Sequence, residues 1–286
     1  MASIRLIRGR IKSAKNISQI TKAMEMVAAS KMKKAQENAL QGKPYADKIY
    51  EATRELAGRT SRKAHPLLSS GNSIGKRLVI IVSTNKGLCG GLNTNLFRML
   101  VDWFPQSVPT EYITLGKKGT NFVVKTGRFL CADFSEKYPF EINVPAVISL
   151  VVSGFTAGTY REVYIAYNSF ENALKQIPVK KVLLPITMEE TLPTPSKSSQ
   201  PEFVMEPDID EILEYLLPHY LENQLRTATH EGEASEHSAR MIAMKNATDA
   251  AVDLMEDLTL MFNKARQEKI TYEIADIVTA RLAVEE

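Results

Sequence analysis

Residues 244–265, MKNATDAAVDLMEDLTLMFNKA, carry Met244, Ala247, Ala251, Leu254, Leu258, Met261 and Ala265 at alternating steps of three and four. Such spacing is the seam of a helix wound around a second helix. Three of the seam residues are alanines, so the partner must approach closely. From His219 to the C-terminus the only residue that weakens a helix is Gly232, and one helix over that stretch would rise ~100 Å. A compact domain needs no element of that length. An ordinary amphipathic helix on a globular core would account for about half of it.

Working outward, the partner is at the other end of the chain. Ile4, Ile7, Ile11, Ala14, Ile17, Thr21, Met24 and Ala28 repeat the three-four spacing, which predicts a long helix over residues 3–40. Gly42 and Pro44 are expected to kink or break it before a further helical piece, Tyr45 to Leu56, that ends near Gly58. Residues 1–43 hold ten Lys/Arg against Glu25 and Glu37, whereas residues 206–286 hold eighteen Asp/Glu against seven Lys/Arg. The two ends therefore attract each other. The basic residues are spread around the helix without interleaved aromatics, so a solvated face neutralised by the acidic partner explains them better than nucleic-acid binding.

Between the ends the periodicity changes. Residues 59–76, rich in Ser, Gly, Arg and Lys, form a linker, and residues 77–190 alternate strand and helix signals. Strands are expected at Arg77–Ser83, Glu111–Gly116, Glu162–Asn168 and Leu174–Pro185, with helices at Leu92–Trp103, Lys117–Gly127 and Pro145–Thr156. That order implies a doubly wound, Rossmann-like α/β domain with an antiparallel edge. Residues 191–207, within a proline- and serine-rich run, make a connector, and residues 208–286 the C-terminal helix, with Pro218 ending or kinking its first segment.

The first strand enters a glycine-rich turn, Ser83 to Asn93, where such folds often hold phosphate. Gly87, Gly90 and Gly91 match neither the G-x-G-x-x-G fingerprint nor a phosphate loop ending in Gly-Lys-Ser/Thr, so they are read as a tight strand-to-helix turn. The run His230-Glu231-Gly232-Glu233-Ala234 resembles the start of a zinc-protease helix, but Ala234 stands where the second histidine is needed. No nucleophile elbow is present. Two cysteines, Cys89 and Cys131, are too few for a disulfide framework. The apolar patches are too short to span a bilayer, and the N-terminus has no signal-peptide core. No catalytic, metal or cofactor site is assigned.

Three long stretches carry a resemblance. Ile11 to Lys31 (IKSAKNISQITKAMEMVAASK), Gly87 to Asn93 (GLCGGLN), and Ala234 to Thr248 with Asn263 to Ile274 (ASEHSARMIAMKNAT and NKARQEKITYEI) resemble the N-terminal helix, the central turn and the C-terminal helix of the gamma subunits of F-type ATP synthases. The resemblance implies a long antiparallel two-helix coiled coil formed by the terminal helices, plus the α/β domain. It implies a rotor shaft that couples proton-driven rotation of the membrane c-ring to catalysis in an alpha/beta hexamer, with epsilon as a further partner, no chemistry of its own and no cofactor. By position it implies that Met24 and Arg240 meet the lever of beta, and that Arg266, Gln267, Thr271 and Glu273 meet the catch region of the hexamer. The tip departs from the family, which commonly has a Gly-Ala pair after the Ile-Val step, whereas here the run Thr279 to Glu286 brings in Arg281 and the carboxylates Glu285 and Glu286. No dithiol switch is expected, because residues 186–207 hold no cysteine. The implied setting is the cytoplasmic side of a bacterial inner membrane. The competing expectations are a coiled-coil adaptor with a nucleotide-binding α/β domain and, third, a basic-helix nucleic-acid binder.

Overall fold

The computed structural model describes residues 4–59, 65–69, 71–186 and 208–285; the 191–207 connector and residues 60–64 of the linker lie outside them. The elements in order are α1 (Ile4–Arg59), β1 (Lys76–Val82), α2 (Leu92–Trp103), β2 (Thr110–Leu115), α3 (Lys117–Lys125), β3 (Phe129–Asp133), a short 3₁₀ turn (Phe140–Asn143), α4 (Val144–Thr156), β4 (Tyr160–Phe170), β5 (Gln176–Leu184) and α5 (Ile209–Glu285). The chain divides into two units, one of residues 1–29 and 240–286, the other of residues 30–239.

In the first unit α1 and α5 lie side by side and antiparallel. The Thr21 and Thr248 hydroxyls meet at 2.7 Å, and the Arg8 guanidinium lies over the Phe262 ring at 5.4 Å. Numbers that rise on one helix while falling on the other define the antiparallel register. On α1 the inward positions are Ile4, Ile7, Ile11, Ala14, Ser18, Thr21, Glu25 and Ala28, a repeat of 3.5 residues that winds the pair left-handed. Ile17, 52% exposed, is not among them. On α5 the seam runs through Met244, Thr248, Ala251, Met255, Leu258, Phe262 and Ala265. This differs from the expected seam at three places: Thr248 stands in line where Ala247, half-buried beside it, was expected, and Leu254 and Met261 are 51% and 59% exposed. Leu254-Met255 and Met261-Phe262 are adjacent apolar pairs, and either member fits a three-four repeat. Packing against α1 selects the second.

Neither proline ends its helix. Pro44 lies inside α1 and Pro218 inside α5, so of the expected kink or break the break does not occur at either. A proline removes one hydrogen bond and crowds the preceding turn, but packing on both sides holds these turns. Ile49 and Thr53 are buried just after Pro44, and Leu217 and Leu221 flank Pro218 with no exposed surface.

In the second unit a five-stranded sheet has the order β3-β2-β1-β4-β5, parallel except for β4 against β5. Alternation along β1 divides the core in two. Leu78, Ile80 and Val82 point to the side shared by Val147, Ile148 and Val151 of α4 and Leu217, Leu221 and Leu225 of α5. Val79 and Ile81 point to the side of Leu96 and Leu100 of α2 and Val123 of α3. Helices on both faces make the sheet doubly wound. β3 is the strand that sequence reading missed. It is a parallel edge whose residues alternate between exposed and half-buried, so it carries no apolar run to betray it. The 65–69 segment, from within the linker stretch, contributes Leu67 and Leu68 to the core, and Ile186 N–H donates to the Leu67 carbonyl at 3.0 Å.

Two outcomes follow from this packing. With Cys131 replaced by Ser, the pair Thr21→Cys and Thr248→Cys should form a disulfide under mild oxidation, whereas Ile17→Cys with Leu254→Cys should not; the reverse result on non-reducing gels would mean the other seam. Gly116 has φ 114° and a Cβ there would lie 2.1 Å from the Ser83 carbonyl oxygen, so Gly116→Ala should cost roughly 2 kcal/mol or more in urea unfolding.

Candidate functional site

The six residues singled out by position all lie in the first unit, in two groups. Met24 and Arg240 are half-buried beside the seam, and Arg240 makes interactions of its own. Arg266, Gln267, Thr271 and Glu273 are all exposed. At 1.5 Å per residue the second group begins roughly 40 Å along α5 from Arg240, so the structure does not bring the groups together. Within the second group Thr271 donates its hydroxyl to the Gln267 carbonyl at 3.0 Å, and Lys269 lies 3.4 Å from the Glu273 carboxylate. Arg266 and Glu273, seven apart, share one face of the helix, while Gln267 and Thr271, four apart, share the next.

The register set by Thr21 and Thr248 brings Ile4 level with the Ala265-Arg266 step. Beyond it, every residue from Arg266 to Arg281 is exposed. Ile270, Tyr272, Ile274, Ile277 and Val278 are between 47% and 68% exposed. Exposed apolar side chains at this density, on a helix with no neighbour among the described residues, mark a surface built to be covered.

The glycine-rich turn is held by its own side chains. Asn93 donates to the Thr84 hydroxyl at 2.8 Å and to Cys89 Sγ at 3.3 Å, and Thr84 donates to the Lys86 carbonyl at 2.6 Å. Asn85 accepts from Lys117 N–H at 2.9 Å and donates to the Ser135 carbonyl at 3.2 Å. Gly90 sits at φ 57°, the left-handed conformation that a tight turn into α2 needs. No group of three or more metal-binding side chains occurs among the described residues.

What sequence reading did not find is the polar band of α5 between Arg226 and Ser238, in the second unit. Arg226 pairs with Glu141, and His230 Nε2 lies 3.8 Å from the same carboxylate. Glu231 accepts from Ser169 at 2.7 Å, and Ser235 donates to the Asn168 carbonyl at 2.9 Å. The His-Glu-Gly-Glu-Ala run is thus the face that docks α5 onto the sheet. Gly232 permits it, because a Cβ there would meet Val82 at 3.0 Å. Burial, together with the nearby charges of Glu236 and Glu141, pushes the Glu233 carboxyl up to about 7, against bonds from Phe140 N–H and Tyr138 that favour its ionised form. Burial pushes His230 down. The signal in the sequence was an unbroken helical pattern in which polar residues occupied the apolar positions.

The described parts thus define a class: a close-packed antiparallel helix pair with a bare C-terminal end, and a doubly wound α/β unit whose glycine-rich turn is closed on itself, a protein made to transmit force or bind partners. The family model described as ATP synthase matches residues 3–284. The ATP synthase gamma chain of Roseiflexus castenholzii is 41% identical over 293 residues, covering 100% of both chains. That of Opitutus terrae is 42% identical, covering 99% of each. Among solved structures, a chain of the Euglena gracilis mitochondrial ATP synthase OSCP/F1/c-ring assembly in rotational state 3 matches 99% of this chain and 94% of its own, at 21% identity and a TM-score of 0.70. The chain belongs to the ATP synthase gamma-chain family. It is a rotor-shaft subunit, part of the complex that carries out ATP synthesis.

The raised Glu233 pKa has a sign that can be measured. A carboxyl that titrates at about 7 when folded and near its ordinary 4.5 when unfolded contributes stability below pH 4.5 and loses it as pH rises towards 7. His230, depressed, works the opposite way. Glu233→Gln should therefore gain on the native chain between pH 5 and pH 8, by on the order of 1–3 kcal/mol after discounting for solvent screening. Urea titrations at several pH values would test this, and parallel pH profiles for the two proteins would contradict it.

Proposed function

We propose that this chain couples proton-driven rotation of a membrane c-ring to the catalytic sites of an alpha/beta hexamer, with residues 266–286 turning inside that hexamer. The observation that carries this reading is the uncovered end of α5, where Ile270, Tyr272, Ile274, Ile277 and Val278 stand exposed. In water these side chains cost solubility; inside a sleeve of protein they are its bearing surface. Arg266, Gln267, Thr271 and Glu273 are the polar contacts of that surface. Met24 and Arg240 meet the beta lever lower on the helix pair. Similarity to chains of assemblies described as central stalk with c-ring, from Tetrahymena thermophila, and as rotor, from Euglena gracilis, supports these partners. Epsilon is the third, binding the α/β domain that spans residues 77–190.

The chain does no chemistry itself. Its glycine-rich turn uses its polar side chains on its own backbone, which leaves the turn as a structural corner and the nucleotide chemistry to beta. No helix among the described residues is long and apolar enough to cross a membrane, in keeping with a peripheral position, here on the cytoplasmic side of a bacterial inner membrane. Stiffness is the property required of it, and the 3.5-residue seam, with small side chains at Ala14, Thr21, Ala28, Thr248 and Ala251 among larger ones, supplies it.

Replacing Arg266 and Gln267 by Ala should leave assembly intact and change the stability of this exposed helix by less than about 0.5 kcal/mol. Each buried partner group left unpaired in the hexamer costs roughly 1–3 kcal/mol, so ATP hydrolysis and synthesis by reconstituted complexes should slow. Unchanged rates would reduce these positions to solvated helix surface. Micromolar ATP binding by the isolated chain would favour the adaptor with a nucleotide-binding domain instead.

A further inference from the structure

Over one stretch of the helix pair in the first unit, polar and small side chains face in while large apolar ones face out. The inward residues of α1 there are Ser18, Thr21 and Glu25, opposite Ala251, Thr248 and Met244 of α5. One position earlier on each helix stand Ile17, Ile20 and Met24, and Ala247, Ala250 and Leu254. Ile17, Ile20 and Leu254 are 52%, 59% and 51% exposed. Because the helices run in opposite directions, the rows one position before each seam lie on the same flank of the pair. Turning each helix by about 100° around its own axis would bring this second row into the seam. At this level hydrophobicity alone favours the turned setting, since it would bury Ile17, Ile20 and Leu254.

Two features oppose that turn. Nearer the start of α1 the second row becomes polar, with Arg10 and Ser13 on α1 and Asp257 and Lys264 on α5, whereas the observed seam there holds Ile7 and Ile11 with Leu258 and Phe262. Within the inverted stretch itself, the Thr21 and Thr248 hydroxyls bond across the seam at 2.7 Å. Glu25 pairs with Lys22 on its own helix. Thr21 Oγ1 also lies 3.0 Å from the Ile17 carbonyl, and Thr248 Oγ1 lies 2.8 Å from the Met244 carbonyl. Whichever hydroxyl donates across the seam, the other donates to the carbonyl of its own helix, so no proton is left unbonded. In the turned setting each hydroxyl keeps its own carbonyl and loses its partner.

We propose that the Thr21–Thr248 pair is a rotational key, which holds this stretch of α1 and α5 in the setting that leaves Ile17, Ile20, Met24 and Leu254 facing outward. The two threonines are positioning residues. They act through the outward row, which carries the Met24 contact of the rotor reading. The consequence for coupling rests on that reading, whereas the rotational setting belongs to the chain alone.

The test is disulfide trapping in the full chain, with Cys131 replaced by Ser and the reporter pair Ile17→Cys with Leu254→Cys, which closes as that flank turns inward. Adding Thr21→Ala with Thr248→Ala should raise the cross-linking rate about threefold to tenfold, the equivalent of one neutral hydrogen bond. Thr21→Ser with Thr248→Ser keeps both hydroxyls and should stay near the starting rate. An unchanged rate in the alanine pair, or an equal rise in the serine pair, would overturn the proposal. Alanine favours the helix, and if the alanine pair nevertheless loses helix content, the single change Thr21→Ala breaks the same bond and takes its place. In reconstituted complexes the alanine pair should slow ATP hydrolysis and the serine pair should restore it; native rates with the alanine pair would overturn the positioning role. Failure of the rotor reading would look different, because the native chain itself would then leave hydrolysis by alpha and beta unchanged.

Discussion

How closely a helix can approach its neighbour is the constraint on which both parts of this protein depend, and small side chains set it. In the helix pair, Ala14, Thr21 and Ala28 on α1 and Thr248 and Ala251 on α5 lie along the seam. Larger residues there would force the axes apart and strain the interlock. In the α/β unit the same device recurs where α3 crosses the sheet, because a Cβ on Gly119 would stand 2.8 Å from Ser83 Oγ. That hydroxyl instead accepts from Gly119 N–H at 2.8 Å. Close approach here brings a hydrogen bond as well as dispersion contact.

The two long helices differ in how they use that closeness. In the first unit the seam is narrow and the outer faces are wet, as a coiled coil requires. In the second, α5 lies against the sheet and buries every residue from Ala234 to Ser238, polar side chains included. Burying hydroxyls and carboxylates is costly unless each finds a partner. Ser235, Ser238 and Glu231 bond to Asn168, Ala173 and Ser169. Such bonds confer direction as well as stability: a purely apolar face could slide or rotate by a residue, whereas this one matches a single register. For a rotor subunit that property is as useful as stiffness, since torque is lost wherever a helix slips.

Electrostatics sets a further boundary. Glu233 is held near neutrality by its surroundings, next to Glu141, Glu236 and the Arg226 pair. The cluster joins α5 to the turn around Phe140, where bonds from Phe140 N–H and Tyr138 to Glu233 oppose the burial and the neighbouring carboxylates. The exposed C-terminal end, with its apolar side chains and the Lys269–Glu273 pair, is the opposite case. Its described side-chain bonds, Thr271 to the Gln267 carbonyl and Lys269 to Glu273, are local to one turn of the helix, so backbone hydrogen bonds carry most of its shape.

The sequence by itself determined the two long helices, the parallel strands with their antiparallel edge, and the family, because each rests on a local period or on long stretches of matching residues. It could also place Arg266, Gln267, Thr271 and Glu273 on the C-terminal helix, though not say what they touch. Only the tertiary structure decided the rest. Period alone cannot choose between neighbours of equal hydrophobicity, so Met255 and Phe262 rather than Leu254 and Met261 became the seam when α1 packed against them. Local propensity placed a kink or a break at Pro44 and at Pro218, but packing of Ile49, Thr53, Leu217 and Leu221 keeps each helix continuous despite one lost hydrogen bond. β3 became a strand because β2 offered an open edge, and the polar band of α5 became an interior face because acceptors far away in sequence waited opposite. In each case the deciding partner lies beyond the span over which a sequence pattern acts.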